Sequence, residues 1–420
     1  MAHGQKAPES REVKEPQELQ SRSEAGTPGQ MSLLTKVVSA PYRGQSRHLR
    51  LVPVTRRLTP QPTVPAFRNG FLPMSETCVL VLDAEPSPRL DRLAGRARVV
   101  HADEQTLAEQ IPFADVLLVW DFLSDAVRRA WPGDGPRPGW VHTPSAGVDR
   151  LLPELADGRD TVITNARGVF DRPIAEYVVG LVLAMAKDFR GTWELQRQRR
   201  WRHRETFRVG GTRATVVGSG PIGREIGRAL LALGVEVDLV GRTARDTDPE
   251  FGRVHATASL PHLVGYADWV VCVAPLTPQS AGMFDAAMFA RMKPETHFVN
   301  VGRGQHVVED DLVDALLAHR IKGAALDVFA EEPLPADSRL WDVPGLLISP
   351  HMSGDTVGWR DDLAEQFLDN FDRWEAGRPL VNVVDKRLGY VPSGSAGGSA
   401  GPNGGPATSA APAGPTAQQR

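Results

Sequence analysis

Three residues whose types cooperate in acid–base chemistry lie in the second half of the chain: Arg303, Glu332 and His351. A guanidinium can polarise a carbonyl oxygen, an imidazole can deliver a proton to it, and a carboxylate beside the imidazole favours its protonated form. Each stands beyond an apolar run that reads as a β-strand, at the edge where open α/β sheets bind ligands. Singly, Arg303 reads as a loop charge, Glu332 as a solvated acid at a helix entry, and His351 as a hydrogen-bonded core histidine. Their recurrence at successive strand ends is what points to a site. Asp327, at one of these strand ends, is suited to orienting a carboxamide.

A second pattern names the reagent that such a site would need. Residues 218–223 read Gly-Ser-Gly-Pro-Ile-Gly, directly after the strand 215–217 and opening a helix over 224–233. In this context Gly218 permits a tight turn, Gly220 lets backbone amides approach a pyrophosphate, and Gly223 lets helix and strand touch. Pro221 and Ile222 complete the loop before the helix whose N-terminus faces the anion. Where an acidic residue would hold the ribose hydroxyls, the chain has Gly241, Arg242 and Thr243, with no carboxylate. A guanidinium beside a hydroxyl suits a 2′-phosphate, so NADPH is the expected preference, with NADH possible; a solvated loop arginine is the ordinary alternative. In the first half, the run Pro-Ser-Ala-Gly-Val-Asp over 144–149 follows a strand. Its small residues would let the amides of Ser145, Ala146 and Gly147 meet a carboxylate, unless it is a plain turn. Trp120 reads as a pocket wall or a core residue, and the histidines, His142 and His306 among them, show no metal-ligand spacing. These parts together suit hydride transfer to a 2-keto acid.

The elements that must position these residues follow from short apolar, β-branched runs. Runs at 78–82, 116–119, 140–142 and 162–164 are separated by stretches long enough for helices, which predicts parallel α/β structure. Asp171 offers an N-cap and Pro173 a first-turn residue for a mostly apolar helix continuing through 174–186. A second strand series at 215–217, 235–240, 269–273, 297–300, 324–328 and 346–348 predicts one doubly wound sheet. After His351, the spacing of Leu363, Phe367, Phe371 and Trp374 predicts an amphipathic helix that returns to the first domain. The expected architecture is two doubly wound parallel-sheet domains with a cleft between them, one a flavodoxin-like substrate domain and the other a Rossmann dinucleotide domain. The substrate domain would comprise 76–170 and 353–391, and the dinucleotide domain 171–352.

Composition bounds the rest. A chain of 420 residues with 41% hydrophobic content can build two cores, and a net charge of -3 gives no basic field for gripping nucleic acid. Cys78 and Cys272 sit in apolar runs, which predicts core thiols. The longest apolar stretch, 178–186, falls far short of the roughly 20 residues that cross a bilayer. A cytoplasmic enzyme without membrane partners is expected. Residues 31–73 carry seven basic residues, from Lys36 to Arg68, and no acidic one. Residues 1–75 therefore read as an extension outside any core, either a transit segment or the product of a start placed upstream of Met74. Residues 392–420, rich in Gly, Ser, Ala and Pro, read as a disordered tail.

Over about 76–391 the chain resembles the D-isomer-specific 2-hydroxyacid dehydrogenase family. The matching motifs are SAGVD, VVGSGPIG, ADWVVCVAPLTPQS, NVGRG, GAALDVFAEEPLP and SPHMSG. The runs GQHVVEDDLVDALL and VDKRLGY are similar to the bacterial glyoxylate/hydroxypyruvate reductase subgroup, which is NADPH-linked. The resemblance implies a homodimer with its active site in the interdomain cleft, Arg303 on the substrate and Glu332 assisting His351. It further implies that Asp327 and the backbone around Val301 meet the nicotinamide, and that Ala274 and Pro275 line the cofactor site. The missing acidic residue after the second strand departs from the family pattern and puts NAD as main cofactor in doubt. A cofactor-sensing protein, similar to the corepressors built on this fold, is the alternative, since fold alone does not fix activity.

Overall fold

The computed structural model describes residues 76–155 and 161–392. The expected N-terminal extension and all of the expected tail beyond Pro392 lie outside the described residues. Two parallel sheets organise the rest. The first has five strands, β1 (Thr77–Leu82), β2 (Ala97–Ala102), β3 (Val116–Val119), β4 (Trp140–Thr143) and β5 (Val162–Asn165), in the order β2-β1-β3-β4-β5. That is the flavodoxin-like order. The second has eight: β6 (Arg213–Val217), β7 (Glu236–Gly241), β8 (Arg245–Asp248), β9 (Gly252–Ala256), β10 (Trp269–Cys272), β11 (His297–Asn300), β12 (Gly323–Leu326) and β13 (Leu346–Ile348). Their order is β13-β12-β11-β10-β6-β7-β9-β8, parallel throughout except for the β8/β9 pair. The chain reverses direction of growth between β6 and β10, which makes the ligand-binding switch point of a Rossmann sheet.

Both sheets are covered on both faces, which is why their central strands are continuously apolar rather than alternating. Val79 and Val81 pack into one core, while Leu80 and Leu82 pack into another on the opposite face. Every residue of β3, β4, β10, β11 and β12 is buried. Cys78 and Cys272 are buried free thiols in these strands. Trp120 is a core residue, packed in the same cluster as Trp140. No helix among the described residues is long and apolar enough to cross a membrane.

The helix Trp359–Glu375 lies on the first sheet. Its Leu363, Phe367 and Phe371 are fully buried, and Phe367 stacks on Trp140 of β4 with centroids 5.3 Å apart. Fully burying each such phenylalanine contributes about 1.5–3 kcal/mol. The ion pairs at its rim, such as Arg92 with Glu365 and Arg96 with Asp372, are solvent-exposed and add little by comparison.

The structure corrects the sequence reading at three places, the first being β2, a strand that the apolar runs did not predict. Asp171 is the first residue of the helix Asp171–Ala186 rather than its cap; Phe170 occupies the cap position with no capping side chain. Asp171 still complements the helix dipole from the first turn. The second sheet also extends past β7 through β9 and β8. The latter, Arg-Asp-Thr-Asp, has no apolar residue and so gives no periodic signal.

Candidate active site

The glycine loop joins β6 to the helix Pro221–Ala232, with Gly220 as N-cap and Pro221 at the first helical position. Its three glycines differ in what constrains them. Gly218 has φ 131, and a Cβ there would lie 2.7 Å from the Val273 carbonyl oxygen. At Gly223 a Cβ would sit 1.7 Å from the Gly218 carbonyl oxygen. Both are therefore required by the protein's own backbone. Gly220 has ordinary φ, and nothing lies within 4 Å of where its Cβ would be. No protein atom demands glycine there, so the space beside it, at an uncapped helix N-terminus, fits an anionic group brought by a ligand. At the end of β7, Gly241 abuts Ser219 of this loop, which places exposed Arg242 and Thr243 immediately beside it. The Arg242 guanidinium lies over the Tyr390 ring, 5.5 Å from its centroid. Ala274 and Pro275 follow β10, and Val301, buried after β11, donates its N–H to the Cys272 carbonyl at 3.0 Å.

Arg303, Glu332 and His351 follow β11, β12 and β13 in turn. The His351 Nδ1 and Glu332 Oε2 are 2.8 Å apart, and Glu332 Oε1 accepts from the Phe329 N–H at 2.9 Å. Glu332 is thereby fixed from behind while it orients the imidazole. Burial would raise its carboxyl, but the His351 hydrogen bond, the Phe329 N–H and the charges of His351 and Arg303 together hold it below the usual carboxylate range. His351 has φ 51, a left-handed conformation rare outside glycine. Asp327 secures it there: its carbonyl accepts from the His351 N–H at 2.7 Å, and its buried carboxylate accepts from Ser349 Oγ, Met352 N and Ser353 N. Nε2 of His351 makes no hydrogen bond among the described residues, so it is available to a ligand.

Arg303 approaches from the other side. A Cβ at Gly304 would lie 1.8 Å from the Phe329 carbonyl carbon, so only glycine lets the Arg303 loop close on the Glu332 turn. Its guanidinium then reaches the turn after β4, where a Cβ on Gly147 would lie 1.8 Å from Nη2. The carbonyls of Ser145 and Ala146 are tied to Ala166 N and Asn165 Nδ2, at 3.0 and 2.7 Å. The amides of 145–147 make no hydrogen bond among the described residues. The sequence motif thus supplies unclaimed N–H groups directly beside Arg303.

One functional residue was quoted in that motif without a role. Asp149 pairs with Arg303, with Nε to Oδ1 and Nη2 to Oδ1 both at 3.1 Å. Burial would raise the Asp149 carboxyl; the Arg303 charge and hydrogen bonds outweigh it and keep the group ionised below the usual range. Nη1 of Arg303 donates to the Gly302 carbonyl at 2.8 Å. Of the five guanidinium N–H groups, one on each terminal nitrogen remains for a substrate oxygen. The available signal was a carboxylate two residues after an amide-presenting turn, but nothing local links it to a residue 154 positions later. A cavity of about 510 Å³ borders Met352, Ser353 and Asp355 along the helix Asp171–Ala186; neither the glycine loop nor Arg303, Glu332 or His351 lines it. The site is therefore defined by side-chain geometry rather than by that cavity.

Comparison with known proteins agrees with this arrangement. A family profile described as D-isomer specific 2-hydroxyacid dehydrogenase, NAD binding domain, matches residues 179–353. The chain is 30% identical over 284 residues to glyoxylate/hydroxypyruvate reductase A of Yersinia enterocolitica, covering 66% of this chain and 88% of that protein. Among solved structures, a D-isomer specific 2-hydroxyacid dehydrogenase family protein from Aeromonas salmonicida is similar at TM-score 0.64 and 32% identity, covering 74% of this chain and all of that one. An NADPH-dependent glyoxylate/hydroxypyruvate reductase from Sinorhizobium meliloti, solved with NADP and sulfate, is similar at TM-score 0.64 and 28% identity, covering 75% and 100%.

Proposed function

The chain belongs to the D-isomer specific 2-hydroxyacid dehydrogenase family, and from that premise we propose that it reduces a short 2-keto acid, glyoxylate or hydroxypyruvate, with NADPH preferred over NADH. It is an oxidoreductase acting on the CH–OH/C=O pair with a nicotinamide dinucleotide. When bound, the dinucleotide supplies hydride to C2 of the keto acid. The amides of Ser145, Ala146 and Gly147 and the free N–H pair of Arg303 hold the carboxylate and polarise the carbonyl. His351 hands the proton on Nε2 to the carbonyl oxygen while Nδ1 stays on Glu332, so the product is the 2-hydroxy acid. Asp327, whose carboxylate is fully buried, acts by holding the His351 loop. Ala274, Pro275 and Val301 line the nicotinamide end of the dinucleotide, and residues 218–223 take its pyrophosphate.

The observation that carries this reading is the His351–Glu332 pair at 2.8 Å, with Nε2 unclaimed, on the sheet edge that also presents Arg303 and the glycine loop. Steady-state assays with NADPH and a panel of glyoxylate, hydroxypyruvate and pyruvate test it; absence of turnover with every member overturns it. Turnover also separates the enzyme from a sensor that only binds dinucleotide, a reading that the named relatives do not favour. Arg242 and Thr243 support the NADPH preference. Arg242→Ala should raise KM for NADPH and leave NADH nearly unchanged; equal effects on both remove that preference. A homodimer fits the exposed aromatic side chains of Phe189, Trp193, Trp201 and Phe207, which solvent does not favour. Sedimentation at micromolar concentration checks it.

A further inference from the structure

His306 is fully buried, belongs to none of the groups assigned above, and touches both halves of the ligand site. Its Nδ1 lies 3.1 Å from the Arg303 backbone nitrogen and 3.0 Å from the Arg303 carbonyl oxygen, and its Nε2 lies 3.4 Å from the Pro275 carbonyl oxygen. The surrounding bonds decide which tautomer is present. The Arg303 carbonyl already accepts from Asn300 Nδ2 at 2.9 Å and from the His306 N–H at 3.2 Å, which fills both of its lone pairs. Nδ1 is then the acceptor for the Arg303 N–H, and Nε2 carries the hydrogen that points to Pro275. The ring also packs flat against the preceding peptide, since a Cβ on Gly302 would come within 3.3 Å of both Cε1 and Nδ1. Burial lowers the pKa of this imidazole, in keeping with a neutral ring.

We propose that His306 is a positioning residue for substrate binding: Nδ1 of its neutral imidazole holds the Arg303 N–H and so fixes the backbone from which the substrate-facing guanidinium extends, while the longer Nε2 contact to the Pro275 carbonyl only seats the ring. The proposal rests on the reductase reading of the site. Without the Nδ1 acceptor the Arg303 N–H is buried and unpaired, and the backbone that aims the guanidinium at 145–147 shifts. Displacements of about 1 Å in such groups cost up to roughly 10²-fold in rate.

Two substitutions separate the ring's two contacts. His306→Asn places an amide oxygen near the Nδ1 position, whereas His306→Gln places its amide near Nε2 and leaves the Arg303 N–H without an acceptor. The binding of oxalate, a planar dicarboxylate probe, to each protein with NADPH present is measured by calorimetry, alongside glyoxylate kinetics and NADPH affinity from fluorescence. The expected result is oxalate affinity and kcat/KM reduced roughly tenfold or more in the Gln variant, within about threefold of the parent in the Asn variant, and NADPH affinity unchanged in both. Equal retention in both variants, a better Gln than Asn variant, or a parallel loss of NADPH affinity overturns the proposal. A parent that binds oxalate but turns over no keto acid instead overturns the reductase reading, and the Asn-to-Gln ratio of oxalate affinities still decides the role of His306.

Discussion

The two sheets contribute to the site in different currencies. The second places Arg303, Glu332 and His351 after β11, β12 and β13, and the glycine loop after β6, so the charged groups left to face a ligand come from one parallel sheet edge. The first contributes the turn after β4, with neutral amides at 145–147 and one carboxylate, Asp149, that is spent on Arg303. A parallel sheet gathers the starts of its loops along one edge, so successive strand ends can assemble a constellation without any long-range device. A site between two sheets needs such a device as well, and the Arg303–Asp149 pair supplies one. The division of labour predicts that loss of the second sheet's proton donor strikes turnover and that changes on the first sheet strike substrate affinity.

The largest expected effect tests the second sheet. His351→Ala should lower kcat on the order of 10²-fold or more through loss of acid catalysis, with dinucleotide affinity unchanged. Near-normal kcat would remove the division at its root. The glycine loop offers a sharper version, because Gly220 is constrained by no protein atom while Gly223 is. Gly220→Ala should keep the parent's melting temperature yet weaken dinucleotide binding by roughly tenfold or more, whereas Gly223→Ala should lower the melting temperature as well. On the first sheet, Asp149→Ala should raise KM for the keto acid by about tenfold while kcat changes little, since the lost partner orients Arg303 but touches no reacting atom. If kcat falls as far as KM rises, Asp149 belongs with the chemistry and the contrast between the sheets fails.

The same contrast governs what the sequence makes legible. Strands buried on both faces, such as Val116–Val119 and Trp269–Cys272, announce themselves as apolar runs, and the residues following them are natural site candidates. Hence Arg303, Glu332, His351 and the glycine loop could be chosen without coordinates. The edge strands β2 and β8 carry no such mark: β2 has only Val99 and Val100 as apolar β-branched residues, and β8 has none. Asp149 and His306 stayed hidden for another reason. Each acts through a single contact on Arg303, and a contact between Asp149 and a residue in the other sheet leaves no periodicity or spacing to read. His306 is only three positions from its partner, yet a histidine judged by metal-ligand spacing gives no hint that its ring supports a backbone amide.

The sheets also differ in how they respond to acid, and this is the smallest effect worth measuring. Each has a buried histidine on a central strand. His142 on β4 is enclosed by Trp140 and Phe367, and burial pushes its pKa down to about 3. His297 on β11 stacks on Trp269, and burial with the nearby Lys322 charge brings it down to about 4. Above the ordinary value of 6.5 neither the folded nor the unfolded chain protonates these rings, and their contribution is intact. As pH falls below 6.5 the unfolded chain takes up protons that the fold refuses, so stability declines until the folded value is reached. Each ring costs about 1.4 kcal/mol per pH unit in that window, or about 2 kcal/mol between pH 6.5 and 5. Between pH 6.5 and 5 the two rings lose alike, and only His142 still refuses the proton below about pH 4. Thr164 Oγ1 keeps its bond from Trp140 Nε1 when the imidazole is removed, and His142 Nε2 has no partner to lose. His142→Phe should therefore leave stability at pH 8 close to the parent's and reduce its fall between pH 6.5 and 5 by about 2 kcal/mol in chemical denaturation. An unchanged fall would mean that the His142 ring carries no part of the acid sensitivity.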